Sequence, residues 1–195
     1  MRNRDDTRSH ILDAAITSLA EDGFAGFGVN SVARRAGYDK KLIYRYFDGI
    51  DGLVTAMGKA VAADLTEALT PHLDPPPASY PALIERLAIA LFDHLWGNAR
   101  FRQMRLMEAA APSDATQAFR AARGKALHSW MIAARGGLMP PTGDVAAWNA
   151  SLIAMVEGLT LLGAAGIDEG DAGSKARLKA ALRRTVTALF AAEET

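Results

Sequence analysis

Apolar residues recur along this chain at the three- and four-residue steps of amphipathic helices, and no stretch alternates as a strand does. Over 7–22, Ile11, Leu12, Ala15, Ile16 and Leu19 share a stripe, and Gly23 stands where that helix would stop. The spacing predicts a short second helix over 31–36, closed by Gly37, and a third over 40–47 with Asp39 as its N-cap. Asp48 and Gly49 then make a turn, and a fourth helix over 51–70 ends at Pro71. The run PHLDPPPASYP, 71–81, breaks the pattern, because Pro75, Pro76 and Pro77 cannot continue a helix. Beyond it, Leu83, Leu87, Leu91 and Leu95 repeat every four residues within a helix over 82–96. Further helices are expected over 100–110, 113–135, 144–165 and 172–192, so the fold class is all-α. The stretch 145–167 is apolar enough to be weighed as a membrane span. Asn149, Glu157, Gly158, Thr160, Gly163 and Gly166, with no basic flank at its start, favour a buried helix, in a core or a dimer interface.

Composition narrows the classes. Half of the 195 residues are hydrophobic, enough for one core or for a small domain fused to a larger one. The absence of cysteine excludes disulfides, thiolate metal sites and a cysteine nucleophile, and suits a reducing, cytoplasmic setting. The charged opening MRNRDDTRSH has no apolar centre, so no signal peptide is expected there. The 22 basic and 22 acidic residues cancel, which counts against a nucleic-acid binder taken as a whole. The local distribution points the other way: Arg34, Arg35, Lys40, Lys41 and Arg45 face Asp39 alone.

That patch lies on two short helices joined by a glycine turn, the layout of a helix-turn-helix. Ile43 and Phe47 are four apart and face inward, onto Val32, Ala33 and Ala36 of the second helix and Ile11 or Ala15 of the first. Lys40, Lys41, Tyr44 and Arg45 are then left outward. Lysine and arginine neutralise phosphates, arginine reads guanine edges, and a tyrosine hydroxyl is a good phosphate ligand. Leu42 suits either a thymine methyl or a half-buried position. A merely solvated face would explain any one of these cations. The combination with the turn and the Tyr44/Tyr46 pair favours contact with double-stranded DNA.

This stretch resembles the DNA-binding domain of the TetR (tetracycline repressor) family of bacterial regulators. The matching features are Gly23-Phe24, Val32-Ala33, Ala36-Gly37 and the run Ile43-Tyr44-Arg45-Tyr46-Phe47, with Leu53 opening the core of the next helix. Two sites depart from the family pattern. Phe27 and Gly28 stand where a hydroxyl residue usually caps the second helix and touches phosphate, leaving the Gly28 N–H, Asn30 or Ser31 for that contact. Ile50 replaces the usual lysine after the aromatic turn.

The resemblance implies a helix-turn-helix domain over 1–53, joined by a connecting helix (51–70) to a larger helical domain over 54–195. That larger domain would bind a small-molecule effector and form a homodimer. Phe92, Trp96, Met104, Met107, Trp130, Met131 and Met155 are the candidate effector residues, since methionine and aromatic groups line adaptable pockets, although an ordinary core uses the same residues. His94, His128, Glu108 and Glu157 are weaker polar candidates. The apolar faces of the last two helices, with Leu152, Val156, Leu159, Leu178, Leu182 and Leu189, suit a four-helix dimer seam or packing within one chain. No cofactor or metal is expected, because the four histidines are dispersed and none has a partner at metal-ligand spacing. No nucleotide loop or serine–histidine–acid grouping supports an enzyme. The expected function is a ligand-responsive repressor, released from a palindromic operator by a small apolar or amphipathic effector. A helical interaction module that has lost DNA binding is the rival reading.

Overall fold

The computed structural model describes residues 2–24, 26–110, 112–166 and 172–191. Among them all regular structure is helical: α1 (Arg2–Asp22), α2 (Val29–Ala36), α3 (Lys41–Phe47), α4 (Ile50–Leu69), α5 (Tyr80–Gly97), α6 (Ala99–Ala110), α7 (Asp114–Arg135), α8 (Val145–Gly166) and α9 (Ala172–Ala191). Ile167, the end of the apolar stretch weighed as a membrane span, and Ala192, the expected end of the last helix, lie outside the described residues. No helix among the described residues is long and apolar enough to cross a membrane.

Several boundaries differ from the sequence pattern, each for a local reason. α1 begins at Arg2 rather than at residue 7, because its first turn is polar and carries no apolar stripe to read. α2 begins at Val29 rather than at residue 31. Ser31 lies inside it and caps it backwards: its Oγ accepts the Gly28 N–H at 3.0 Å and donates to the Gly28 carbonyl at 2.9 Å. α3 starts one residue later than expected, so Lys40 and not Asp39 is its N-cap; Asp39 stands one residue further out, its Oδ1 accepting the Lys41 N–H at 2.8 Å. α4 ends at Leu69, and Pro71 lies within the single 3₁₀ turn that follows, Thr70–Leu73. α5 starts at Tyr80, inside the expected proline break. Ser79 Oγ accepts the Ala82 N–H at 3.3 Å, and Pro81 sits in the first turn, where its missing N–H costs nothing.

The chain packs as two compact units that do not follow its order. The first comprises residues 1–64 with 100–129; the second comprises 65–99 with 130–195. The motif boundary at residue 53 therefore differs from the one that packing draws.

In the first unit, Ile11, Ala15 and Leu19 of α1, Val32 and Ala33 of α2, Ile43 and Phe47 of α3, and Leu53, Val54 and Met57 of α4 form the buried core. α6 and the first part of α7 complete it. Phe24 lies edge-on to Phe119 with ring centroids 6.1 Å apart, and Arg100 donates to Asp13 at 2.9 Å and to Thr17 at 2.8 Å. α4 runs against the α7 backbone at Gly58, where an added Cβ would lie 2.5 Å from the Phe119 carbonyl oxygen.

Glu108 ties α6 to α7. Its side chain is fully buried, and it meets Arg105, Arg120 (3.0 Å) and Arg123 (2.9 Å). Burial alone would raise its pKa. Arg123 and then Arg105 outweigh that and hold the carboxyl below its ordinary value.

In the second unit α5 packs against α8 and α9. Tyr80, Leu83, Leu87, Phe92 and Leu95 of α5 are buried with Leu152 and Val156 of α8 and Leu182, Val186 and Phe190 of α9. Asn149 donates to the Tyr80 hydroxyl at 2.6 Å, and the Tyr80 and Trp148 rings meet Phe190 edge-on. Lys175 and Lys179 bracket Asp93 at 3.0 and 2.6 Å.

Candidate nucleic-acid interface

α2 and α3 form the reading motif. The apolar residues of α2 are one turn apart, so Val32 and Ala33 are buried while Arg34 and Arg35 are exposed. Gly37 closes the helix at φ 72°, and its N–H reaches the Arg34 carbonyl while that of Tyr38 reaches Ala33. Arg35 is held by Glu21 at 2.6 Å and Asp22 at 3.0 Å, which fixes α2 on the end of α1 and withdraws this cation from the surface patch.

α3 is seven residues long and has one inward face. Ile43 is fully buried and Phe47 nearly so. Lys40, Lys41, Tyr44 and Arg45 are exposed, Tyr44 at 58%. An exposed tyrosine between cations, held over a buried isoleucine, is a polar contact surface rather than core. Leu42 and Tyr46 are half-buried. Of the residues suggested to replace the missing cap hydroxyl, Ser31 is committed to Gly28, and the Gly28 N–H is spent on Ser31. Asn30 is exposed and remains open to a phosphate. Ile50 is the half-buried first residue of α4.

Beside α3 runs an open groove of about 730 Å³, between α1, α3 and α4. Arg8, Arg45 and Lys59 line it together with Tyr44, Tyr46 and Phe47, and Asp48 is the acid among the lining residues. The Arg8 guanidinium lies over the Phe47 ring at 5.0 Å, and that of Arg4 over Tyr46 at 5.8 Å. The sequence reading missed this face. Its signal was present in the four-residue spacing of Arg4 and Arg8, which places both on one side of α1.

Residues 11–57 match the family described as bacterial regulatory proteins, tetR family. The N-terminal domain is a TetR-family domain. A curated relative, the HTH-type transcriptional regulator BetI of Burkholderia thailandensis, is 35% identical over 69 residues. That of Burkholderia cenocepacia is 36% identical over 67 residues. The chain spans about a third of the length of these relatives, 35% and 34% respectively. The fold extends further. A putative transcriptional regulator of Pseudomonas aeruginosa PAO1 superposes with a TM-score of 0.71 at 20% identity, covering 94% of this chain and 90% of the other. The fatty acid degradation regulator FadR of Bacillus halodurans gives 0.64 at 14% identity, covering 92% and 94%. At those identities the likeness is one of fold. Family and relatives alike are described as regulators, not enzymes.

Outside the TetR-family domain, the suggested effector residues fall into both units. Met104 is buried and Met107 half-buried in the first unit, where Met107 packs on Gly23. Phe92 is fully buried in the second, with Trp96 stacked beside it at 5.3 Å. Trp130 and Met131 pack on a cluster of Leu69, Leu83, Leu87 and Ala90, and Trp130 donates to Thr70. Met155 is half-buried. Of the suggested seam residues, Leu152, Val156 and Leu182 are buried within the chain's own second unit, while Leu159, Leu178 and Leu189 are half-buried.

Proposed function

We propose that this chain is a DNA-binding transcriptional regulator, acting as a homodimeric repressor that a small apolar or amphipathic effector releases from a palindromic operator. The observation that carries the reading is the exposed Lys40, Lys41, Tyr44 and Arg45 face of α3, held over buried Ile43 and Phe47. Base edges and phosphates of duplex DNA are the partner such a face fits. Asn30 and the start of α2 add a phosphate contact, and Leu42 and Tyr46 flank the base-reading residues. The test is an anisotropy titration against duplexes tiling the DNA upstream of the protein's own gene. Selective binding that falls steeply with salt is expected. The Lys41→Ala/Tyr44→Phe double variant should bind at least ~10-fold more weakly, the loss of two phosphate-type contacts. Equal affinity of variant and wild type would refute the assignment of α3.

Dimerisation is proposed through the faces of α8 and α9 that the chain's own core leaves uncovered. On α8, Ala150, Ile153 and Ala154 are exposed, Ile153 at 49%. Small residues around one large apolar group let helices approach closely. Two-fold pairing would set two α3 helices one groove repeat, or a multiple of ~34–36 Å, apart. Ile153→Glu is expected to shift the protein to monomer in sedimentation velocity without altering its far-UV spectrum; an unchanged dimer would place the seam elsewhere. Phe92, Trp96, Trp130, Met131 and Met155 remain the proposed effector residues of the second unit, and Met104 and Met107 those of the first. Effector binding would act by preferring one setting of α4.

A further inference from the structure

The groove beside α3 has a charge pattern that base reading does not account for. In the first unit five arginines are spent on carboxylates: Arg35, Arg100, Arg105, Arg120 and Arg123 each meet one. Arg4, Arg8, Arg45 and Lys59 form no ion pair among the described residues, although all four are exposed. Arg8 and Arg4 are also not free to wander. Each guanidinium lies over a ring of α3, Phe47 and Tyr46 respectively. A cation–ring contact uses no N–H donor in an ion pair, so a guanidinium placed over a ring keeps donors to offer a phosphate. Lys59, two turns into α4 from Gly52, lines the same groove.

We propose that Arg4, Arg8 and Lys59 form a second phosphate track, which grips the DNA backbone flanking the segment read by α3. This rests on the reading of α3 as a DNA-contacting helix. The track supplies cationic anchoring that the chain lacks at the start of α4, where Ile50 offers none. Charge complementarity selects the occupant: the lining carries three cations against Asp48, and duplex DNA presents a phosphate row of matching sign beside any helix in its major groove. Phosphates carry no base identity, so the track adds affinity and salt dependence without selectivity.

The test compares wild type with an Arg4→Gln/Arg8→Gln/Lys59→Gln variant on the tightest-binding duplex of the tiling titration. Each lost phosphate contact lowers the slope of log K against log salt by ~0.9, so the triple variant should lose between ~2 and ~3. Its preference for that duplex over a scrambled one should be unchanged. Trimming the duplex ends should weaken wild type and leave the variant unaffected. Lys125→Gln, which removes one exposed cation of α7, shows the effect of a charge lost away from the groove and should not move the slope. A far-UV melt checks folding, which three exposed substitutions should leave intact. Selective wild-type binding with an unchanged slope in the triple variant overturns the track and leaves α3 as the reader. An absence of selective wild-type binding at any salt overturns the DNA reading itself, and the track with it.

Discussion

Gly52→Ala is expected to unfold the reading motif. A Cβ at this position would lie 1.7 Å from the Phe47 carbonyl oxygen and 2.9 Å from its carbonyl carbon, distances at which no side chain can be built. Neither side can yield cheaply. The carbonyl belongs to the last residue of α3, whose ring is buried and whose successor Asp48 donates back to Tyr44. The glycine lies in the first turn of α4, immediately before the buried pair Leu53 and Val54. Separating the helices enough for a methyl group would drag both residues from the core, a loss on the order of 4 kcal/mol or more. The three tryptophans all lie in the second unit, so fluorescence would report the wrong part of the molecule. Hydrogen exchange of the α2 and α3 amides is the appropriate measure. Native protection there in the variant would show that α3 and α4 are not packed this tightly.

The second large effect concerns Glu108. Glu108→Gln keeps the shape of the side chain and removes the charge that three arginines share. Arg120 is 46% exposed and can turn to water, but Arg105 and Arg123 are mostly buried and cannot. Removing one member of a buried charged group costs ~3–5 kcal/mol, because the remaining charges stay desolvated. Acid should mimic the substitution. The carboxyl titrates below its ordinary value in the folded chain, so its contribution is complete above the unfolded glutamate value. It is lost as pH falls through the lowered folded value. Wild type should therefore lose thermal stability across that acid window, while the glutamine variant, already lacking the contribution, should show a shallower decline. Superimposable pH profiles would show that Glu108 does not govern the acid limb.

The parts of the fold that could be read from sequence are those set within a dozen residues. Ile43 and Phe47 share a face because a helix turns every 3.6 residues, and that places Lys41, Tyr44 and Arg45 outward without knowledge of anything distant. The hydroxyl in the first turn of α2 was visible too, yet its partner was not, since Ser31 had equal claims on DNA and on Gly28. What could not be read was partnership over long separations. Arg100 meets Asp13 across 87 positions, and no local pattern pairs them. An apolar stripe says that a face is covered, not by what. Leu152, Val156 and Leu182 face α5 in their own chain, although the same periodicity would suit a second copy. Glu108 looked like a weak ligand candidate because a lone glutamate on a helix carries no hint of three arginines gathered around it.

The interleaving of the two units has a consequence for synthesis. A ribosome delivers α1 to α3 first, yet the residues that finish their unit, 100–129, arrive only after 65–99 has already emerged. Phe24 must wait for Phe119, and Asp13 for Arg100. The nascent reading motif therefore waits through the translation of the segment between α3 and α6 with an apolar flank uncovered, a state prone to capture by chaperones or by other chains. Residues 65–99 wait in turn for α8 and α9. Neither unit can close before the other is partly made, so folding is not expected to proceed one unit at a time along the chain.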